Sequence, residues 1–228
     1  MQKKEAVSNI AENLNRIKAE IPANVKLVAV SKTKGLPEIM KAYQAGQRIF
    51  GENKVQELIA KQPELPADIQ WHFIGHLQTN KVKYITPFIS MIESVDRMKI
   101  LQEINKQAMQ IDRIIPCLLQ FHIAEEETKF GLDMKEAEEL LTDRSFKSFQ
   151  NISICGVMGM ATFTQDFTQV KREFAHLRAI FQHLKEKWFT DVPDFCEISM
   201  GMSGDYQIAI EEGSTMIRVG SKIFGQRY

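Results

Sequence analysis

The sequence predicts an α/β fold, specifically a (β/α)8 barrel, and two observations carry that expectation. Eight short apolar runs alternate with seven helical patterns along the chain, the count a closed parallel barrel requires. The 228 residues suffice for one substantial core, and no Pro/Gly/Ser-rich linker, repeat or low-complexity stretch divides them. Residues 1–228 therefore read as a single domain. A doubly wound open sheet shares the alternation and is the alternative.

The elements follow in order. Val7, Ile10, Leu14, Ile17 and Ile21 recur at spacings of three and four, which makes the opening segment an amphipathic helix that Pro22 and Asn24 break. Strands are expected at 25–30, 47–50, 70–74, 88–93, 114–121, 152–158, 195–199 and 215–219. Helical patterns fill the gaps at 37–45, 53–61, 78–85, 96–109, 133–142, 165–187 and 205–212. Pro37 suits a first helical turn, and Gly46 and Gly213 stand where C′ glycines end helices. Only Ser221 to Tyr228 follow the last strand, so the opening helix is expected to pack where an eighth outer helix would lie.

Composition narrows the function classes. Lys+Arg and Asp+Glu both number 29, so the net charge is zero and the basic footprint of a nucleic-acid or membrane-surface binder is missing. Hydrophobic residues at 44% and charged ones at 25% are ordinary for a soluble protein. The start, Met1-Gln2-Lys3-Lys4-Glu5, carries no secretory signal, and no window approaches the roughly 18 apolar residues of a membrane span. A cytoplasmic monomer is expected. Cys117, Cys155 and Cys196 sit in apolar runs and read as small buried hydrophobes. The histidines lack ligand spacing, so no metal site is expected.

In a barrel, functional groups collect at the C-terminal ends of the strands. Lys32 follows the run Val28-Ala29-Val30-Ser31, and a lysine so placed forms an imine with an aldehyde once packing lowers its pKa. Gly220 and Ser221 end the eighth strand, and Met200-Gly201-Met202-Ser203 follow the seventh. Such turns offer backbone N–H groups to a phosphate, where barrels commonly hold one. Lysine and phosphate cradle together suggest a phosphorylated aldehyde, and pyridoxal 5′-phosphate (PLP) is the candidate cofactor. Ser203 and Asp205 would also serve as N-caps. Arg218 lies two residues before Gly220 and shares its face. If buried it needs an acceptor, either a salt bridge inside the mouth or a ring nitrogen of the ligand. Asn53 is either a turn residue or a cofactor contact. His72, among aromatic residues, reads as a hydrogen-bonded core residue. The rim is otherwise poor in paired carboxylates.

Several longer motifs stand in register with these residues. They are Ala29-Val30-Ser31-Lys32-Thr33-Lys34, Phe50-Gly51-Glu52-Asn53, and Trp71-His72-Phe73-Ile74-Gly75-His76-Leu77-Gln78-Thr79-Asn80-Lys81. Ser199-Met200-Gly201-Met202-Ser203, Gly213-Ser214-Thr215-Met216-Ile217-Arg218-Val219-Gly220 and Ile223-Phe224-Gly225 complete the set. Over essentially its whole length the chain resembles the pyridoxal-phosphate homeostasis protein family, the YggS/PROSC-type PLP-binding proteins. The resemblance implies a fold similar to the N-terminal barrel domain of alanine racemase, with PLP held as a Schiff base on Lys32. It also implies a role in balancing vitamin B6 and amino-acid pools without established catalytic turnover, so no catalytic residue is assigned. Asn53, Ser199, Gly201, Ser203, Arg218, Gly220 and Ser221 are the further expected cofactor contacts. PLP, amino acids and PLP-dependent apo-enzymes are the implied partners, and Lys34 and Lys129 are candidate secondary amines at the mouth. One departure stands out. Many members have an asparagine after strand five, where this chain has Phe121-His122-Ile123, so no contact carries over to His122, while Lys129 and Gly131 keep the family's Lys-x-Gly step. The rival readings are a PLP-dependent amino-acid racemase, for which the chain looks too short, and a Schiff-base aldolase.

Overall fold

A computed structural model describes residues 9–125 and 130–225; Lys129 and Tyr228 fall outside them. The strands are β1 (Lys26–Val30), β2 (Ile49–Glu52), β3 (Gln70–Phe73), β4 (Met91–Val95), β5 (Ile115–Phe121), β6 (Ile152–Gly159), β7 (Glu197–Ser199) and β8 (Met216–Val219). All pair in parallel, each with its sequence neighbours, and β8 returns to β1 through Lys26↔Met216 to Ala29↔Val219. The sheet is therefore a closed barrel and not the open alternative. The helices are α1 (Ile10–Glu20), α2 (Leu36–Gln44), α3 (Val55–Lys61), α4 (Thr79–Ile85), α5 (Met98–Met109), α6 (Met134–Thr142), α7 (Phe167–Lys187), α8 (Tyr206–Glu211) and the short α9 (Ser221–Phe224).

Strand alternation divides the core into two layers. Val28, Met91, Leu118, Met158 and Met216 fill the barrel interior. A larger layer, with Phe50, Trp71, Phe121, Phe174 and Ile217 among its members, lies between the strands and the helices. Each such side chain contributes about 1.5–3 kcal/mol on burial, so the packing of these two layers fixes the barrel. Gly46 and Gly213 take φ of 85° and 93° at the ends of α2 and α8, as C′ glycines should.

Three expectations need correcting. β2 and β4 lie two to three residues further along the chain than the apolar runs suggested. The side chain of Gln47 donates to the carbonyls of Leu27 and Ile49, both at 2.7 Å, and so takes up acceptors at the strand start, whereas Gly51 and Glu52 pair onward with His72 and Phe73. Phe88 and Ile89 belong to the turn closing α4, since their N–H groups donate to the Ile85 carbonyl. Ser94, which follows the expected strand 88–93, consequently sits inside β4. The opening helix does pack beside the last element, with Asn13 Nδ2 donating to the Ile223 carbonyl at 3.1 Å, but that element, α9, was not anticipated. Of the three free thiols only Cys117 is buried; Cys155 is half-buried and Cys196 exposed, because the β6 and β7 starts open at the barrel's N-terminal end.

Candidate cofactor site

The expected contacts converge on one side of the mouth. Lys32 follows β1, Asn53 follows β2, Ser199 ends β7 with Gly201 and Ser203 just beyond it, and Arg218, Gly220 and Ser221 end β8 and open α9. In the closed order β7, β8, β1 and β2 are consecutive neighbours, so residues scattered over the sequence share one arc. The two glycine turns touch directly, with the Gly220 N–H donating to Ser203 Oγ at 3.2 Å. Gly201 has φ of 96°, and a Cβ there would stand 2.6 Å from Ala209 Cβ. A Cβ on Gly220 would approach the Val30 carbonyl at 3.1 Å. Gly201 cannot take a side chain in place, whereas at Gly220 a Cβ would press on the Val30 backbone.

Below this arc the barrel holds a buried polar layer. His72 Nδ1 lies 2.7 Å from Glu93 Oε1. Ser199 donates to Glu93 Oε2 at 2.6 Å and accepts from an Arg218 Nη at 2.5 Å. The other Arg218 Nη donates to the Gly159 carbonyl at 2.9 Å, and the Glu93 carboxylate stands 3.8 Å from the guanidinium. Glu93 is fully buried and Arg218 nearly so. Arg218 thus has the salt-bridge partner its burial demanded, and His72 is a hydrogen-bonded core residue as expected. Burial pushes the Glu93 carboxyl up, but the His72 hydrogen bond, the Arg218 charge and the Ser199 hydroxyl outweigh it and hold it below the usual carboxylate range. Burial pushes Arg218 down, opposed by Glu93; a guanidinium stays protonated nonetheless. Ser199 is fully buried within this layer, beneath the glycine turns and not among them. Glu93 was missed in the sequence, although period two with Met91 places it on the interior face of β4.

Lys32 is half-buried, between two anchored residues. Ser31 Oγ donates to Glu52 Oε1 at 2.6 Å, and the Thr33 N–H donates to Glu57 Oε1 at 2.5 Å. Thr33 has φ of 64°, which costs a β-branched residue on the order of 1–3 kcal/mol unless its surroundings hold it there. Glu52 is fully buried with Oε2 unpartnered, and burial pushes its carboxyl up against hydrogen bonds from Lys61 and Ser31. From the sequence, Glu52 stands only as a member of the Phe50–Asn53 motif without a role, and nothing marks Lys61.

Other rim residues serve different ends. Lys34 Nζ donates to the Phe224 carbonyl at 3.1 Å, tying α9 down. His76 pairs with Asp96 at 3.1 Å and stacks on Phe130 at 4.3 Å. His122 is half-buried, its N–H donating to the Leu132 carbonyl. Asp205 accepts from the Met202 N–H and Ser203 from Gly220, so neither caps α8 with its side chain. A cleft of about 330 Å³ beside Lys18, Ile21, Val25 and Arg48 lies at the opposite, N-terminal end of the barrel and holds none of these groups. Among the described residues no His/Cys/Asp/Glu group is arranged to hold a metal, and no helix is long and apolar enough to cross a membrane.

The residues present fit a phosphorylated aromatic aldehyde. They supply an amine in Lys32, a glycine-lined cradle, and a guanidinium below. Asn53 Oδ1, moreover, is buried with no hydrogen-bond partner, an arrangement that costs about 1–3 kcal/mol if left unmet. A polar ligand edge at the mouth would meet it.

Comparison with known proteins agrees. The alanine racemase N-terminal domain family profile matches residues 6–228. The human pyridoxal phosphate homeostasis protein is 38% identical over 220 residues, spanning 91% of this chain and 79% of that protein. The Aquifex aeolicus protein of the same name is 36% identical over 203 residues, 89% of this chain and 87% of that one. PipY of Synechococcus elongatus, solved with PLP bound, superposes with a TM-score of 0.84 at 35% identity, covering 95% of this chain and all of PipY. Alanine racemase from Bartonella henselae shares the fold at 16% identity and a TM-score of 0.74, with the match covering 97% of this chain and 63% of the racemase. The chain belongs to the pyridoxal phosphate homeostasis protein family, within the wider alanine racemase N-terminal domain family.

Proposed function

We propose that this chain binds PLP at the β7–β8–β1–β2 arc, as a Schiff base on Lys32, and acts as a non-catalytic holder of the cofactor in vitamin B6 and amino-acid homeostasis. The observation that carries this is the convergence of Lys32, Asn53, Arg218 and the Gly201/Ser203/Gly220/Ser221 cradle on four adjoining strands. The PLP bound to PipY and the printed name of the relatives support the same reading.

When bound, PLP supplies an aldehyde that condenses reversibly with an amine. Lys32 is the amine that takes it up. The N–H groups that follow Gly220 at Ser221 and the start of α9, with the Ser203 hydroxyl that the Gly220 N–H holds in place, take the phosphate. Asn53 meets the polar edge of the ring, and Arg218, supported from below by Glu93 and Ser199, directs a donor at the ring nitrogen. Lys32 is released when an incoming amine takes its place, so amino acids and PLP-dependent apo-enzymes are the partners this reading gives a cytoplasmic, monomeric, one-domain carrier spanning 1–228.

Purified protein should absorb in the near-visible. Lys32→Ala should abolish that band and leave the far-ultraviolet circular dichroism intact, because a half-buried rim lysine contributes little to the core. If Lys34→Ala removed the band and Lys32→Ala did not, the assignment would be wrong.

A further inference from the structure

Behind the Lys32 loop lies an ionic cluster that closing a barrel does not require. Lys61, the last residue of α3, extends an almost fully buried side chain toward the end of β1. Its ammonium group donates to the Ser31 carbonyl at 2.9 Å, to Glu52 Oε1 at 2.7 Å and to Glu57 Oε1 at 2.6 Å. Those three bonds match the three donors a lysine has. Glu57 stands one helical turn before Lys61, and the same oxygen that receives the ammonium also receives the Thr33 N–H at 2.5 Å. Glu52 in turn receives the Ser31 hydroxyl.

Three of these five bonds end on a residue flanking Lys32, and the other two tie their anchors Glu52 and Glu57 to the one ammonium group. Ser31 is held through its carbonyl and its hydroxyl, and Thr33 through its N–H, in a positive-φ conformation that a threonine does not choose unaided. A second pair of backbone bonds, Ser31 N–H to the Gly51 carbonyl and Lys34 N–H to the Ser31 carbonyl, both 3.0 Å, completes the turn. Ordering such a turn in advance removes an entropic cost from any reaction of the residue it presents.

We propose that Glu57 and Lys61 of α3, acting with Glu52, are positioning residues that fix the Ser31–Lys34 turn and so aim the Lys32 amine into the mouth. The proposal rests on Lys32 as the PLP-binding amine, and two readouts keep the two claims apart. The first is amide hydrogen exchange of Thr33 and Lys34 in ligand-free protein. The second is the rate at which added PLP develops the near-visible band.

Glu57→Ala removes the Thr33 acceptor from a partly exposed site. It should speed exchange at Thr33 and Lys34 and slow band formation by about tenfold to a hundredfold, the scale of a misplacement of about 1 Å. Glu57→Gln keeps an acceptor carbonyl and should restore both readouts, which a role in charge balance alone would not allow. Lys61→Met should act in the same direction as Glu57→Ala; should it fail to fold, the Glu57 pair decides. Unchanged Thr33 exchange in Glu57→Ala overturns the proposal, and so does band formation at the parent rate. If the parent itself forms no Lys32-dependent band, the functional reading falls, and exchange alone judges whether the turn is held as stated.

Discussion

Arg218 shows how a single residue's physical needs were legible while its partner was not. An arginine inside an apolar strand must find an acceptor, so its burial implied either a carboxylate in the mouth or a ring nitrogen of a ligand. Which carboxylate it was depended on β4 lying across the barrel from β8, and on a register that puts Glu93 on the interior face. Glu93 and Arg218 set one carboxylate against one guanidinium, and His72 adds a hydrogen bond to the carboxylate. Glu93→Gln would leave the guanidinium buried and uncompensated, at a cost of about 3–5 kcal/mol. Urea unfolding at neutral pH should show that loss, and adding Arg218→Met should recover part of it, because the double variant removes both charges. The pH dependence has a definite sign. A carboxyl held below its usual value contributes stability above about pH 4.3 that fades as pH falls through the depressed value. The gap between parent and Glu93→Gln should therefore be full at neutral pH and close in acid. A single variant less than about 1 kcal/mol below the parent would mean that Arg218 is compensated elsewhere.

Elements were legible in kind and blurred at their ends. Runs marked all eight strands, but a run does not say where hydrogen bonding starts: at β2 its first residues, Gln47 and Arg48, went to a side-chain-capped start, and at β4 Phe88 and Ile89 went to a turn. That shift matters to the site, because it moves Gly51 and Glu52 into the strand and leaves Asn53 as the first residue beyond it. The turn after β3 then packs onto the turn after β2 with no space between them. A Cβ on Gly75 would stand 2.2 Å from the Asn53 carbonyl oxygen and 2.7 Å from its Cα. Backbone on both sides cannot yield as a flexible side chain could. Gly75→Ala should destabilise the protein by about 1–3 kcal/mol, as overpacking does, and weaken PLP binding by displacing Asn53. Gly204→Ala is the control, since a Cβ there meets nothing within 4 Å. Urea midpoints and PLP titrations that did not separate the two alanine variants would refute the idea that this contact sets Asn53.

At the scale of the whole molecule, the strand–helix count pointed to the barrel, and the pairing of β8 with β1 closes it. The same barrel serves racemases, so fold alone does not separate carrier from enzyme. The distribution of groups around the mouth bears on that choice. Removing an α-proton from an amino acid with PLP commonly relies on a carboxylate that keeps the ring nitrogen protonated. Here the group below the arc is Arg218, which only donates and which Glu93 and Ser199 already engage. Racemisation also needs a second base. The described tyrosines are turned elsewhere: Tyr43 donates to Asp68 at 2.7 Å, Tyr84 lies exposed on α4, and Tyr206 is buried with its hydroxyl on Glu20. Burial pushes Tyr206 up to about 12, aided by the Glu20 hydrogen bond, so it remains a phenol at neutral pH. PLP-loaded protein incubated with alanine or serine in deuterated water should therefore leave the α-proton in place and the amino acid enantiomerically pure, even while the near-visible band responds to the added amine. Rapid deuterium incorporation at the α-carbon that disappears in Lys32→Ala would overturn the carrier reading and make the protein an enzyme whose second base lies outside the residues named here.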